Sequence, residues 1–194
     1  MNHTICSKYL CLLVLLLAAW VPSATCAEKL NSYHNDEFRF SFQYPSSWVP
    51  SQASAPNLQA RVAAPTNTPA AECAVVVKRY PKAASAKQSD IDQIFLASPT
   101  PSELEEVLSH AESAVTVAKA SAGTLHSRPA HRARVQYKTG ETAYASGLVI
   151  MTATPGLTWT LSCSGLGDTP AEAEKNFQFW EDTINHLVSS FTFK

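Results

Sequence analysis

The stretch FRFSFQYPSSW, residues 38–48, contributes most to the prediction of the fold. Aromatic side chains occupy every second position from Phe38 to Tyr44, with polar side chains between them. This is the period of a β-strand with one buried face and one solvated face. Pro45 removes a backbone donor and ends the strand, and Trp48 follows two serines as an apolar anchor. The stretch predicts a strand and a turn, and it contains no group that indicates a chemistry.

Residues 1–27 have the composition of an export signal. Lys8 gives a weakly positive start, and residues 10–19 form an apolar run that is too short to span a bilayer comfortably. Small residues follow this run, and we place the cleavage after Ala27. An uncleaved anchor or a buried N-terminal helix is the alternative. The prediction is a periplasmic or secreted protein whose mature part, residues 28–194, is a single domain.

Cys26 raises the alternative of a lipid anchor, because a bacterial lipoprotein signal places its modified cysteine directly after a short triplet of apolar and small residues. The triplet here is Ser-Ala-Thr, residues 23–25. Leucine is missing at its first position, and the threonine at its last is bulkier than the usual glycine or alanine. We therefore expect no lipid anchor. No later segment of the sequence is long and apolar enough to span a membrane.

The charge balance argues against nucleic-acid binding. The chain has 15 Lys and Arg residues and 16 Asp and Glu residues, which gives a formal net charge of −1. Cleavage of the signal removes the positive charge of Lys8, so the mature chain carries −2. Binding to nucleic acid calls for a concentrated positive surface. We therefore exclude that class of partner.

Two cysteines remain after cleavage, because Cys6, Cys11 and Cys26 leave with the signal. In an oxidising compartment, the remaining Cys73 and Cys163 are a candidate disulfide. Both lie on the apolar faces of predicted strands, where buried free cysteines behave as small hydrophobic residues. A bridge needs Cα atoms about 5.5 Å apart. The sequence does not give that separation, so both interpretations stay open.

Several further strands are predicted from apolar runs and alternation. Residues 58–64 are a short apolar run, and the valine-rich residues 73–80 predict a central strand buried on both faces. Residues 115–118 and Leu125 are weak strand candidates. Three strands joined by tight turns follow over residues 131–163, which predicts an antiparallel meander.

Three helices are predicted from apolar stripes and N-terminal signals. Ile91, Ile94 and Phe95 form one apolar stripe over two turns. Residues 100–103, Thr-Pro-Ser-Glu, are a capping box that begins a second helix. A second such box at residues 169–172 begins the strongest helix, whose apolar face must cover the sheet. These patterns predict an α+β fold with an antiparallel sheet flanked by helices.

This order of elements resembles the PsbP-like superfamily, which also includes DcrB-type bacterial envelope proteins and the eukaryotic Ran-binding import factor. The similarity spans essentially the whole mature chain. The matching segments are FRFSFQYPSSW, the strand at residues 73–80, LHSRPAHRARVQY at residues 125–137, GLTWTLSCSG at residues 156–165, and the closing helix ending in SSF at residues 189–191.

The resemblance implies an αβα sandwich and a role in binding or assembly. One member is the extrinsic subunit that stabilises the photosynthetic oxygen-evolving centre. The matching motifs contain no catalytic residue, so the resemblance supplies none for this chain. Nothing in the sequence indicates a photosynthetic partner, and we do not transfer that role.

The histidines offer weak candidates for a metal site. His126 and His131 are five residues apart, which suits neither a helical pair nor a same-face strand pair of ligands. His34, Asp36 and Glu37 have the oxygen and nitrogen groups of a hard-cation site. An ordinary solvated loop before the first strand is the simpler interpretation, and we predict no metal site.

Signals for catalysis or for a bound cofactor are also weak. Residues 163–167, Cys-Ser-Gly-Leu-Gly, lack the glycine two positions before the serine that a nucleophile elbow requires. Residues 165–168 lead into a helix, as an anion-binding turn does, but no lysine or longer glycine pattern accompanies them. We interpret them as a flexible strand-to-helix connection. The prediction is that the protein has no catalytic residue and no cofactor, and is not an enzyme.

The best candidate for a functional surface is a row of basic side chains on the strand at residues 131–138. The simpler interpretation is a solvated strand face. The alternative is a patch that docks an acidic protein partner or anionic headgroups. Its members are Arg128, His131, Arg132, Arg134 and Lys138.

Two functions from different classes remain open. The first is an exported, non-catalytic envelope protein that binds, or helps to assemble or stabilise, another protein. The second is a small-ligand carrier that uses a cleft between the sheet and the helices. A cleft in which polar side chains converge on apolar walls would favour the carrier, and a filled interior would favour the first function.

Overall fold

The computed structural model describes residues 28–51, 55–109 and 115–194. The predicted export signal at residues 1–27, including Cys26, lies outside the described residues. None of the helices in the described ranges is both long and apolar enough to cross a membrane.

The described residues form ten strands, three α-helices and one short 3-10 helix at Pro81–Ala83. The elements are β1 (Leu30–Asn35), β2 (Phe40–Pro45), β3 (Val49–Ser51), β4 (Leu58–Ala63), β5 (Ala71–Arg79), α1 (Gln88–Leu96), α2 (Pro101–Leu108), β6 (Val115–Leu125), β7 (Arg128–Thr139), β8 (Ala143–Thr154), β9 (Leu157–Gly167), α3 (Pro170–Ser190) and β10 (Thr192–Phe193).

The strands form two antiparallel sheets. The large sheet has the order β3-β4-β5-β9-β8-β7-β6, and the small sheet has the order β1-β2-β10. One face of the large sheet, which we call the α3 face, carries Leu161 and packs on α3 and the small sheet. The opposite face carries Val135 and Val149 and packs on α1 and α2, and we call it the α1–α2 face. The predicted antiparallel sheet between helices is confirmed.

The larger core lies between the α3 face and α3. Phe177, Ile184 and Leu187 project from the helix into this core and are buried. The small sheet closes one side, where the rings of Phe40 and Phe191 stack with centroids 5.5 Å apart. Burial of this apolar surface holds α3 in place.

The stretch FRFSFQYPSSW forms a strand and a turn, as predicted, but the strand starts later than predicted. Strand β2 begins at Phe40 because Arg39 has a left-handed backbone with φ of 55°, which breaks the extended chain after Phe38. Phe40, Phe42 and Tyr44 are buried. Trp48 is the predicted anchor: it is 2% exposed and packs edge-on against Trp180 at 5.3 Å.

The segment before this strand was predicted to be a loop, and that prediction is wrong for residues 30–35. They form β1, which pairs with β2 along its whole length, with His34 opposite Ser41. Tyr33 stacks on Phe42 at 5.2 Å and its hydroxyl donates to the carbonyl of Gln59. These two contacts attach a strand whose own sequence carries little apolar signal.

Strand β5 is central, between β4 and β9, but it is not buried on both faces as predicted. Cys73, Val75 and Val77 are buried on the α3 face. Ala74 and Val76, on the other face, are half-buried. The reason is that α1 and α2 pack on β6, β7 and β8 and leave this part of the sheet without a helix above it.

The meander β7-β8-β9 and the capping box of α2 are confirmed. Thr100 and Glu103 bond each other's side chain and backbone, as the sequence pattern predicts. The start of α3 differs: Thr169 caps it, but the carboxylate of Glu172 accepts from the N–H of Asp168 at 2.9 Å. The apolar stripe of α1 also differs, because Ile91 is buried while Ile94 is 65% exposed.

Cys73 and Cys163 form a disulfide, which resolves the alternative that the sequence left open. They are direct partners in the register of β5 and β9, with Cα atoms 4.0 Å apart. The bridge joins residues 90 positions apart in the chain. The bridge lies on the α3 face, and the larger core covers it.

Candidate binding surfaces

The five residues of the predicted basic patch do not lie on one face of β7. Alternation along the strand places Arg132, Arg134 and Lys138 on the α3 face and His131 on the α1–α2 face. The ring of His131 packs against Phe95 of α1, with centroids 4.8 Å apart. His131 is therefore separated from the arginines by the thickness of the sheet.

Arg134 makes an internal ion pair between β7 and α3. Its Nη2 donates to both carboxylate oxygens of Glu174, at 2.8 Å and 2.8 Å. Its guanidinium carbon lies 3.5 Å from the ring centroid of Phe177, a cation–π contact. The ion pair uses Nη2, while Nη1 is buried without a hydrogen-bond partner among the described residues. Arg134 thus connects the strand to the helix.

The carboxylate of Glu174 is stabilised by several donors. Ser146 donates to it at 2.6 Å and Gln178 at 2.8 Å, in addition to Arg134. Partial burial works to raise the pKa of Glu174, but the hydrogen bonds from Ser146, Arg134 and Gln178 outweigh burial, so its pKa lies below the usual value. The group is a stable anion at neutral pH.

The other arginines and lysines of β7 have no such partner. Arg128, Arg132 and Lys138 make no ion pair with any residue in the described part of the chain. The guanidinium of Arg128 lies over the ring of Phe193, 5.1 Å from its centroid. The stem of Arg132 crosses Gly123, where a Cβ atom would lie 2.5 Å from the Arg132 Cδ. Glycine at position 123 thus leaves room for Arg132.

Lys119 of β6 joins these cations and was not among the residues predicted from the sequence. It is the direct partner of Arg134 in the register of β6 and β7, so both side chains lie on the α3 face. A bulge between Val117 and Lys119 sets this register. We call Arg128, Arg132, Lys138 and Lys119 together the basic edge.

The turn at residues 165–168 has a structural explanation. A Cβ atom at Gly165 would lie 2.1 Å from the backbone nitrogen of Phe177, so glycine allows α3 to approach β9. Thr169 accepts from the N–H of Glu172 in the first turn of α3, and the Glu172 carboxylate accepts from the N–H of Asp168, just before the helix. The predicted flexible connection is instead a packed strand end, because β9 continues to Gly167 against α3.

The histidines predicted as weak metal candidates each have a different neighbour. His34 is in β1, beside the ammonium of Lys194 at 3.2 Å. His126 accepts from the N–H of Phe193 at 3.4 Å. Glu37 accepts from Arg79 at 2.6 Å. Across the described residues, no three His, Cys, Asp or Glu side chains come together as metal ligands would.

A cleft of about 300 Å³ opens on the α1–α2 face, where the end of α2 meets the sheet. Its aliphatic walls are formed by Leu108, Val115, Val135 and Val149. Tyr137 and the hydroxyl-bearing Thr160 and Ser162 also line it. The cleft has a size at the lower end of small-molecule sites, which run from about 300 to 1,000 Å³.

Comparison with known proteins identifies the fold. No protein-family model matches the sequence, and no curated protein is similar enough to match it. Among solved structures, cyanobacterial PsbP from Synechocystis is similar, with a TM-score of 0.55 and 14% sequence identity over 88% of this chain and 96% of that chain. The chain has a PsbP-like fold.

Two further structures with this PsbP-like fold are also similar. LpqN of Mycobacterium tuberculosis, described as involved in cell envelope biogenesis, has a TM-score of 0.51 and 11% identity over 87% of this chain and 92% of that one. The Saccharomyces cerevisiae Ran-binding protein Mog1p has a TM-score of 0.50 and 8% identity over 86% and 96%. Identities this low show the fold alone.

Proposed function

We propose that this chain is an exported, non-catalytic PsbP-like protein that binds, or helps to assemble or stabilise, an acidic protein partner in the envelope. The observation that carries the proposal is the basic edge. Arg128, Arg132 and Lys138 present positive charge without an internal counter-ion among the described residues, while Arg134 beside them is paired. The export signal predicted at residues 1–27 and the disulfide support an oxidising compartment.

The basic edge has the geometry of a docking surface. From Arg128 to Lys138 it extends along β7 for roughly 33 Å at about 3.3 Å per residue. Pairing with β6 on one side and β8 on the other holds the strand. The formal net charge of the whole chain is only −1, so this concentration of positive charge is local. Such a patch sets the orientation and encounter rate of a partner of opposite charge.

The test is capture of the partner from the native envelope with matched charge variants. Arg132→Glu with Lys138→Glu reverses two charges of the basic edge. Lys78→Glu with Lys82→Glu makes the same change in net charge at two exposed positions at the end of β5 and beyond it. We expect a co-purifying protein with an acidic surface to be lost with the first pair and kept with the second. Equal retention by both pairs would refute the role of the basic edge.

The cleft favours a second candidate function, carriage of a small molecule. It combines aliphatic walls with hydroxyl groups, which is typical of small-molecule sites. The test is native mass spectrometry of the protein purified from its own envelope. A bound molecule released on unfolding supports carriage, and a protein that is always empty argues against it.

A further inference from the structure

The apolar part of the cleft is formed by residues from four elements. Leu108 comes from the end of α2 and Val115 from the start of β6, and they form one wall. Val135 of β7 and Val149 of β8 form the floor, and both belong to the smaller core cluster beneath α2. A ligand here would continue an apolar cluster that the protein already contains.

The polar part of the cleft is a row of hydroxyl groups on β9. Thr160 and Ser162 line the cleft, and Thr158 lies on the same strand face outside it. Ser164 is the next residue of this face and is 2% exposed. Its Oγ has no hydrogen-bond partner among the described residues. Ser164 does not line the cleft, so the β9 hydroxyl groups that a ligand could reach are those of Thr160 and Ser162.

Among residues 28–51, 55–109 and 115–194, the cleft offers no charged side chain to a ligand. The charged residue on its rim is Lys138. Alternation along β7 directs the Lys138 side chain to the α3 face, opposite to that of Tyr137. A carboxylate or an ammonium ion would therefore lose its hydration without gaining a counter-ion. This favours a neutral head group.

We propose that the cleft binds one neutral amphiphile, a short alkyl chain with a hydroxyl, carbonyl or ester head. The tail lies on Leu108, Val115, Val135 and Val149, and the head bonds to the hydroxyl groups of Thr160 and Ser162. This inference rests on the second candidate function, carriage of a small molecule. It adds the chemical class of the ligand to that function.

The experiment compares three probes that share one tail: n-octanol, octanoate and n-octylammonium. Binding to the purified protein is measured by calorimetry below the concentration at which each probe aggregates, and the methyl NMR signals of Val135 and Val149 report the location. We expect n-octanol to bind at least about tenfold more tightly than either ion, because the ions are desolvated without a partner.

Three variants on the open strand face separate the site from the rest of the surface. Thr160→Val with Ser162→Ala removes two hydroxyl groups, and we expect the affinity for n-octanol to fall about tenfold. Ser162→Phe fills the cleft from its open side and should abolish binding. Thr158→Val makes the same chemical change on β9 outside the cleft, and it should leave the affinity unchanged.

The outcomes separate the ligand class from carriage itself. Stronger binding of octanoate or n-octylammonium would overturn the neutral class and leave carriage standing. If the affinity for n-octanol is unchanged both in the Thr160→Val, Ser162→Ala double variant and in Ser162→Phe, the proposed site is wrong. If none of the three probes binds but the native protein releases a bound molecule, the proposed chemical class of the ligand is wrong and carriage still stands. Failure of the probes with an empty native protein would overturn carriage as well.

Discussion

Arg134 and Glu174 are joined by two hydrogen bonds of 2.8 Å, and the pair connects β7 of the large sheet to α3. Charge-assisted bonds of this kind are about twice as strong as neutral ones. The contact makes one cation of β7 structural, while Arg128, Arg132 and Lys138 have no ion-pair partner among the described residues. It also places the basic edge next to a helix that cannot shift without breaking the pair.

Replacement of Arg134 should lower stability more than replacement of the neighbouring Lys119. In Arg134→Ala the ion pair and the contact with Phe177 are lost. We expect the free energy of unfolding to decrease by about 1–2 kcal/mol, and the decrease is no larger because Glu174 is partly solvated. Lys119→Ala, at an exposed position, should change it by less than about 0.5 kcal/mol. Urea denaturation measures both. Equal effects would mean that Arg134 is an ordinary surface residue.

The lowered pKa of Glu174 predicts a pH dependence of stability. A carboxyl whose pKa is lower in the folded state than in the unfolded state contributes stability above its unfolded value, near 4.5, and loses it as the pH falls through the folded value. We expect the wild type to lose more stability than Glu174→Gln between neutral pH and the acid side of this window. Denaturation curves measured at several pH values test this. If the stability of the wild type and that of Glu174→Gln change with pH in the same way, the pairing of Glu174 is contradicted.

The disulfide should contribute strongly to stability. A bridge that closes a long loop restricts the unfolded chain, and its removal costs about 2–5 kcal/mol. We expect this loss for Cys73→Ala with Cys163→Ala, measured by denaturation against the oxidised wild type. Both cysteines are buried, at 2% and 0% exposure, so a reductant should act on the native protein only after it opens. Rapid reduction under native conditions would contradict that burial.

Gly165 should be less tolerant of alanine than Gly140. A Cβ at Gly165 would meet the backbone of α3 at 2.1 Å, and relief of that clash requires the helix to move. We expect a loss of more than about 3 kcal/mol. At Gly140 nothing lies within 4 Å and only the left-handed backbone with φ of 72° opposes a side chain, which costs about 1 kcal/mol. Thermal unfolding of the two variants should differ accordingly, and a smaller loss at Gly165 would refute the packing argument.

The parts of the fold that the sequence predicted are those with a local periodic signal. Strands β2 and β9 bury every second residue over most of their length and α3 buries a helical stripe, so their own residues determine the pattern. Strand β1 lacks such a signal. Its sequence, LNSYHN, is mostly exposed, and pairing with β2 and the contacts of Tyr33 determine its conformation.

The candidate surfaces were predicted only in part, because they depend on contacts between distant elements. The basic residues of β7 were identified, but the pairing of Arg134 with Glu174 spans 40 positions. The position of Lys119 beside Arg134 follows only from the bulged register of β6 and β7. The cleft depends on where α2 ends above the sheet, which no local pattern reports. The disulfide likewise follows from the register that sets Cys73 opposite Cys163.

The most direct test of the central claim is the association rate of the captured partner, measured at several salt concentrations. We predict that Arg132→Glu with Lys138→Glu slows association at least about tenfold and flattens its salt dependence, since a basic edge acts through electrostatic steering. Lys78→Glu with Lys82→Glu should keep the wild-type rate to within about twofold, because rates respond mainly to charge near the interface. Equal rates for the two pairs would contradict the proposal that the basic edge docks the partner.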